Sequence, residues 1–315
     1  MSRTFRSKTL SALAAGFVMT ALPIFGQGVP MEGPVPTTAT IAVQSKSGAP
    51  LDPALLSLQV DGKSTPILSV QPIPPPGAQI AILIDDGLRS AFGNQLSDFA
   101  DFINALPPGA KVLVGYMQNG IVRGMNTFSA NHQAVAAQLR ITMSVAGING
   151  SPYFTLSEFV KHWPSNEPGA RFVLLVTNGV DPYNGRPSVM NQNSPYVQTA
   201  QEDAQRAGVA VYSIYYPQSF PRGGRGSFSG QSYLAQVGEA TGAQSFNIGT
   251  ITPPSLAPYL SQFGKAVATS YLIRFNTNSA RVKRDTLVRI KLKTSQPGVK
   301  LQTPNGVHPG VDLHW

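Results

Sequence analysis

The chain has 315 residues, 42% of them hydrophobic, a formal net charge of +9 and no cysteine. That length and apolar content suffice for one large core and a smaller one; the missing cysteines exclude disulfides, a thiolate nucleophile, Cys-ligated zinc and a lipidated N-terminal cysteine. From Lys265 onward nine Lys/Arg stand against two Asp/Glu, leaving fifteen against thirteen before it, so the body is near neutral and the C-terminal segment basic.

In chain order, residues 1–26 have the pattern of an export signal. Arg3, Arg6 and Lys8 form a positive n-region. Leu10 to Phe25 is apolar but short and interrupted by proline, and Gly26 is a small residue before cleavage. No twin arginine precedes it, so the general secretory route and a secreted or periplasmic location are expected. No later apolar stretch is long enough for a transmembrane helix. Residues 27–38 are rich in Pro and Gly and are expected to be a flexible lead-in. Residues 39–76 alternate as strands, with turns at Ser47-Gly48 and Asp61-Gly62, and Pro72 to Gly77 is a hinge.

From residue 77 the pattern changes. Ile80 to Ile84 is a continuous apolar run, as in a strand covered on both faces, and it ends on Asp85-Asp86. Phe92, Leu96, Phe99, Ile103 and Leu106 recur at helical spacing before Pro107-Pro108-Gly109. Val112 to Met117 and Ile121 to Phe128 flank Asn119-Gly120, a hairpin signal. Helices are predicted over 133–143, 153–163, 196–208, 233–241 and 256–267, with buried strands over 171–179 and 209–217. Strands alternating with helices argue for a doubly wound, mostly parallel α/β sheet over residues 77–269. Residues 270–315 turn to β again, alternating apolar with basic. They are expected to pair with residues 39–76 into a small flanking sheet or sandwich.

This order resembles a von Willebrand factor A domain: an Asp-ended first strand, a hairpin, two helices and the strand "LLVTNG". The chain is similar more narrowly to bacterial secreted proteins related to that family, of the acidobacterial type. Asp61-Gly62-Lys63 stands where those proteins carry "DGK" before the domain, and Tyr271–Phe275 and Thr286–Thr294 match their tail strands. The resemblance covers most of residues 40–305. It implies a divalent cation at the carboxyl ends of the strands, held by D-x-S-x-S, by a Thr of a later loop and by the Asp of a T-D-G turn, with one position open to a partner's carboxylate.

The residues here depart from that pattern. With Asp85 in the first Asp position, the Ser positions hold Gly87 and Arg89; shifted by one, Asp86, Leu88 and Ser90 align. The Thr loop corresponds to "INGSPYFT", offering Ser151 or Thr155, and the T-D-G turn is Thr177-Asn178-Gly179, with Asp181 nearby. Asp85, Ser151 and Asn178 are the residues left for a weak metal site. Arg89 brings a fixed positive charge, which within about 4 Å of a dication costs several kcal/mol at an effective dielectric near 20. It is also a good bidentate partner for a carboxylate. The expected site is therefore degenerate, with the Arg89 guanidinium in place of Mg²⁺ or Ca²⁺ beside Asp85 and Asp86.

His132, His162, His308 and His314 are scattered, and neither a G-x-S-x-G elbow nor a P-loop occurs. No enzyme and no cofactor are expected. Two loops should emerge at the same rim. Residues 181–196 carry Tyr183, Arg186 and Tyr196; residues 217–231 carry Phe220, Arg222, Arg225 and Phe228. The expected function is adhesion to a protein or glycan through this rim, with no nucleic-acid partner. The alternative is a structural or assembly factor of the cell envelope. It would meet an anionic surface through the basic C-terminal segment, with Lys283, Arg284, Lys291 and Lys293.

Overall fold

The computed structural model describes residues 33–143, 150–184, 192–217, 225–247, 249, 253–278 and 286–313. The predicted export signal, with Arg186, Phe220, Arg222, Lys283 and Arg284, lies outside them.

Among the described residues, one sheet has six strands, in the order β10-β9-β8-β5-β6-β7. Its strands are β5 (Ala78–Asp85), β6 (Lys111–Gln118), β7 (Ile121–Gly124), β8 (Ala170–Thr177), β9 (Val209–Tyr215) and β10 (Ser245–Asn247). All neighbours are parallel except β6 and β7. Those two form the predicted hairpin, with Asn119 and Gly120 both at positive φ, 47° and 84°, as a tight primed turn requires.

Every residue of β5 is buried, because helices cover both faces. Ile80, Ile82 and Ile84 join Phe92, Phe99, Ile103, Leu260 and Phe263 on one side. Ala81 and Leu83 join Tyr153, Leu156, Val160, Val197 and Ala200 on the other. The first group packs α1 (Leu96–Asn104) and α6 (Ala257–Ala268); the second packs α3 (Pro152–Lys161), α4 (Pro195–Arg206) and α5 (Arg225–Ala240). The chain builds outward from β5 to β6 and β7, then returns to the other side of β5 with β8, β9 and β10. That reversal opens a crevice at the carboxyl ends of β5 and β8, the usual ligand position in such sheets.

The flanking segments form two four-stranded sheets, β13-β1-β11-β4 and β14-β12-β2-β3. The first holds β1 (Pro34–Ser45), β4 (Ile67–Pro72), β11 (Ser270–Asn278) and β13 (Val299–Gln302); the second holds β2 (Leu56–Val60), β3 (Lys63–Thr65), β12 (Val288–Thr294) and β14 (Gly306–Val307). The N-terminal strands pair with the C-terminal ones, β1 with β11 and β2 with β12. The two sheets close on a shared core that includes Ile41, Val43, Leu58, Ile273, Phe275, Ile290 and Leu292. The alternation of strand side chains sends Leu272 the other way, into the α/β core.

Three expectations need correction. The lead-in does not extend to residue 38. β1 begins at Pro34, and Pro34–Thr38 pairs with Arg274–Asn278, so the ladder overrides the local Pro-rich composition. The helix predicted over 133–143 stops early, as α2 (His132–Ala136). Beyond it the backbone bonds to side chains, Arg140 N–H to the Tyr116 hydroxyl at 2.6 Å and Met143 N–H to Asp86 at 2.9 Å; such bonds compete with helix. Finally, α5 starts at Arg225, inside the stretch predicted as a loop.

Candidate functional site

β5 delivers two carboxylates to the crevice, and they take different partners. Asp85 accepts from the Thr177 hydroxyl at 2.6 Å and from Gly87 N–H at 2.9 Å. Thr177 ends β8 and also accepts from Gly179 N–H at 3.2 Å. Burial raises the Asp85 pKa above the usual carboxylate range; the Thr177 and Gly87 hydrogen bonds oppose the rise, and the Asp86 charge adds to it.

Asp86 is fully buried. Its oxygens accept from both terminal nitrogens of Arg140, at 2.9 and 2.8 Å, from Met143 N–H at 2.9 Å and from the Gln118 amide. Burial works against the charge, but Arg140, Gln118 and Met143 outweigh it and hold the Asp86 pKa below its ordinary value. The Arg140 guanidinium lies 3.9 Å from the centre of the Tyr116 ring. The Tyr116 hydroxyl closes the arrangement by donating to the Arg140 carbonyl at 2.8 Å. Arg140 is 40% exposed while Asp86 has no exposure, so the outer surface of this buried pair is a cation.

The guanidinium on the acidic pair thus belongs to Arg140 and not, as the sequence suggested, to Arg89. Arg89 is exposed at the start of a 3₁₀ turn whose first residue is Ser90, also exposed. Nothing local announced Arg140: it lies 54 positions from Asp86 in a segment with helical character.

Ser151 occupies the N-cap position of α3 but makes no capping bond, and its buried hydroxyl has no hydrogen-bond partner among the described residues. Thr155 lies inside α3, its hydroxyl donating to the Ser151 carbonyl at 3.3 Å. Asn178 uses its side-chain oxygen locally, accepting from Val180 N–H at 2.9 Å. Asp181 is not joined to Asp85. It accepts from the Ser194 hydroxyl at 2.6 Å and from Tyr183 N–H at 3.2 Å, tying its loop to the start of α4. Tyr183 of this loop and Tyr196 in the first turn of α4 have ring centres 5.8 Å apart. Of the second predicted loop, Arg222 lies outside the described residues and Arg225 is placed only as the first residue of α5. Among the described residues no three His, Cys, Asp or Glu side chains converge as a metal-holding group.

The two carboxylates give opposite pH signatures. An acid whose folded-state pKa is raised costs the native state stability above its unfolded pKa, and the cost disappears as pH falls through the folded value. Asp85→Asn, which removes the buried charge and keeps an acceptor, is therefore expected to raise the Tm at pH 7, with the gap to wild type closing in acid. Thermal unfolding at pH 7 and pH 4 checks this; a lower Tm for the variant at pH 7 would refute it.

No family model and no curated protein matches the chain. Among solved structures it is similar to an aerotolerance-related membrane protein from Bacteroides fragilis NCTC 9343, with TM-score 0.44 and 8% identity over 61% of this chain and 98% of that one. It is also similar to the pilus adhesin SpaC from Lactobacillus rhamnosus GG in its open conformation, with TM-score 0.44 and 9% identity over 82% of this chain and 48% of the adhesin. Manganese-loaded TRAP protein from Plasmodium vivax has TM-score 0.41 and 11% identity, over 78% of this chain and 100% of that one. At such scores these likenesses leave the functional assignment to the chain's own geometry.

Proposed function

We propose that this chain is a secreted or periplasmic, non-enzymatic binding module of the von Willebrand factor A-like kind. It presents the loops at the carboxyl ends of its parallel strands to a protein or glycan partner, and it works without a divalent cation. The observation that carries the reading is the capture of Asp86 by Arg140.

A hard cation needs several oxygens, and anionic ones dominate its affinity. Asp86 is already neutralised by a guanidinium. Both oxygens of Asp85 are engaged, and burial disfavours its charged form. Asn178 is a neutral amide bonded to its own turn. The Ser151 hydroxyl would suit a ligand oxygen but brings no charge. This donor set does not fit Mg²⁺ or Ca²⁺.

Arg140 supplies a positive centre instead. A part-exposed guanidinium, stacked on a tyrosine and braced by a buried carboxylate, suits a carboxylate of the partner. Ile141 and Met143, close to it in the chain, are 60% and 66% exposed; they offer apolar contact beside the cation. Export follows from the signal pattern of residues 1–26, and no helix among the described residues is long and apolar enough to cross a membrane.

The test is thermal unfolding in EDTA and then in millimolar Mg²⁺, Ca²⁺ or Mn²⁺. A ligand that binds only the native state raises its stability by mass action. The expected result is an unchanged Tm. An upward shift that disappears in Asp85→Ala would reveal a working cation site and sink the metal-free reading.

A further inference from the structure

We propose that the outer face of the second flanking sheet, the one containing β12, binds a carboxylated polysaccharide. The row of cations on β12 carries the proposal by itself and does not rest on the rim's reading, although the groove at its end reaches Ser194 of the 181–196 loop. Along β12, Val288, Ile290 and Leu292 are buried while Arg289, Lys291 and Lys293 are exposed. The three cations therefore project from one face at two-residue spacing, about 6.7 Å apart. Among the described residues none of them has an ion-pair partner.

The register fixes their neighbours. Lys291 stands opposite Gln59 and Lys293 opposite Ser57, and Gln59 in turn stands opposite Ser64. Ser57, Gln59 and Ser64 are all exposed. The face thus combines a row of positive charges with hydroxyls and a carboxamide. Asp61 stands at one end of the row, its carboxylate accepting from the backbone N–H of Arg289 at 2.9 Å.

Arg289 also forms one wall of a groove of about 760 Å³ between the sandwich and the α/β unit, lined by Gln198, Gln201, Glu202, Gln236 and Asn305 among others. The row therefore runs into a cleft lined mainly by amide side chains, which donate to and accept from sugar hydroxyls, and the Glu202 carboxylate in its lining is held by Arg206 at 2.9 Å.

Charge complementarity requires a polyanion, and the neighbouring groups select its class. Lipid headgroups are served by basic residues joined to apolar side chains that insert beneath them. Positions 57, 59, 64, 289, 291 and 293 offer none. Carboxylates on the cations with hydroxyls on Ser57, Gln59, Ser64 and the groove match a linear acidic sugar chain.

The test uses the full mature chain and polygalacturonate, a linear polymer with a carboxylate on each sugar, followed by isothermal titration calorimetry at low and at physiological salt. Saturable binding is expected, weakened by salt and lost when the polymer is fully methyl-esterified. The variant Arg289→Glu/Lys291→Glu/Lys293→Glu is expected to weaken it about tenfold or more at an unchanged Tm, since these side chains are exposed. Poly-glutamate, with carboxylates but no sugar hydroxyls, should bind at least about fivefold more weakly. Absence of binding, binding indifferent to the triple variant, equal binding of poly-glutamate, or preference for phosphatidylserine vesicles over the polysaccharide would each overturn the proposal. Should the triple variant lose its Tm, Arg289→Gln/Lys291→Gln/Lys293→Gln decides by the same criterion.

Discussion

Replacing Arg140 by alanine is expected to cost about 3 kcal/mol of stability at neutral pH and to lower the Tm by roughly 10 °C, the size expected for breaking a buried pair from one side. Asp86 has no exposure, and without the guanidinium its charge would keep only the Gln118 and Met143 donors. The figure sits at the low end for buried pairs because Arg140 is part exposed, so water replaces some of what is lost. The pH dependence identifies the cause. The Asp86 pKa is depressed in the folded state, so its stabilisation is present above the unfolded carboxylate value and is lost as pH falls through the folded one. The gap between wild type and Arg140→Ala should therefore be widest near neutrality and shrink in acid. Adding Asp86→Asn should return part of the loss, because no unpaired charge stays buried. An Arg140→Ala protein that melts with wild type at pH 7 would remove the basis for placing the positive centre at this pair.

The second large effect is expected at Gly230, inside α5. Alanine in place of glycine within a helix ordinarily stabilises by about 1 kcal/mol. Here the opposite is expected, a loss of about 1–3 kcal/mol as in an overpacked core. A Cβ on Gly230 would run into the carbonyl oxygen of Asn178, and it would lie 3.1 Å from the carbonyl carbon of Gly179. Both are backbone, so neither can rotate away. Gly179 returns the contact: it sits at φ +66°, and its own Cβ would meet the Gly230 oxygen at 2.5 Å. The helix and the Thr177-Asn178-Gly179 turn therefore touch main chain to main chain. The damage should reach the rim, because Gly179 N–H holds the Thr177 hydroxyl that donates to Asp85. Chemical denaturation of Gly230→Ala checks the sign, and a variant as stable as wild type would show that α5 shifts freely.

Parts of this architecture were legible without coordinates because their causes are local. The run Ile80 to Ile84 is a strand with both faces covered, and side-chain alternation divides it between two cores. Asn119-Gly120 makes its hairpin through two positive φ angles. The alternation in β12 marked a half-exposed strand, and the structure adds that its row of cations meets Gln59 and Ser57 across the ladder. The helix periods placed α1, α3, α4 and α6 within a few residues, and Asp85-Asp86 was visible as the rim.

Other parts depend on partners far apart in the chain, which no local pattern encodes. Pro34–Thr38 is strand because Arg274–Asn278 pairs with it. α2 ends early because Tyr116 and Asp86 draw away the backbone donors of the segment after it. The buried Ser151 hydroxyl has no hydrogen-bond partner among the described residues, and Asp181 faces Ser194 rather than the crevice. That two carboxylates end a buried strand follows from the local pattern alone. Their separate capture, one by Thr177 and the other by Arg140, comes from packing, because it belongs to whichever donors the folded chain brings within about 3 Å.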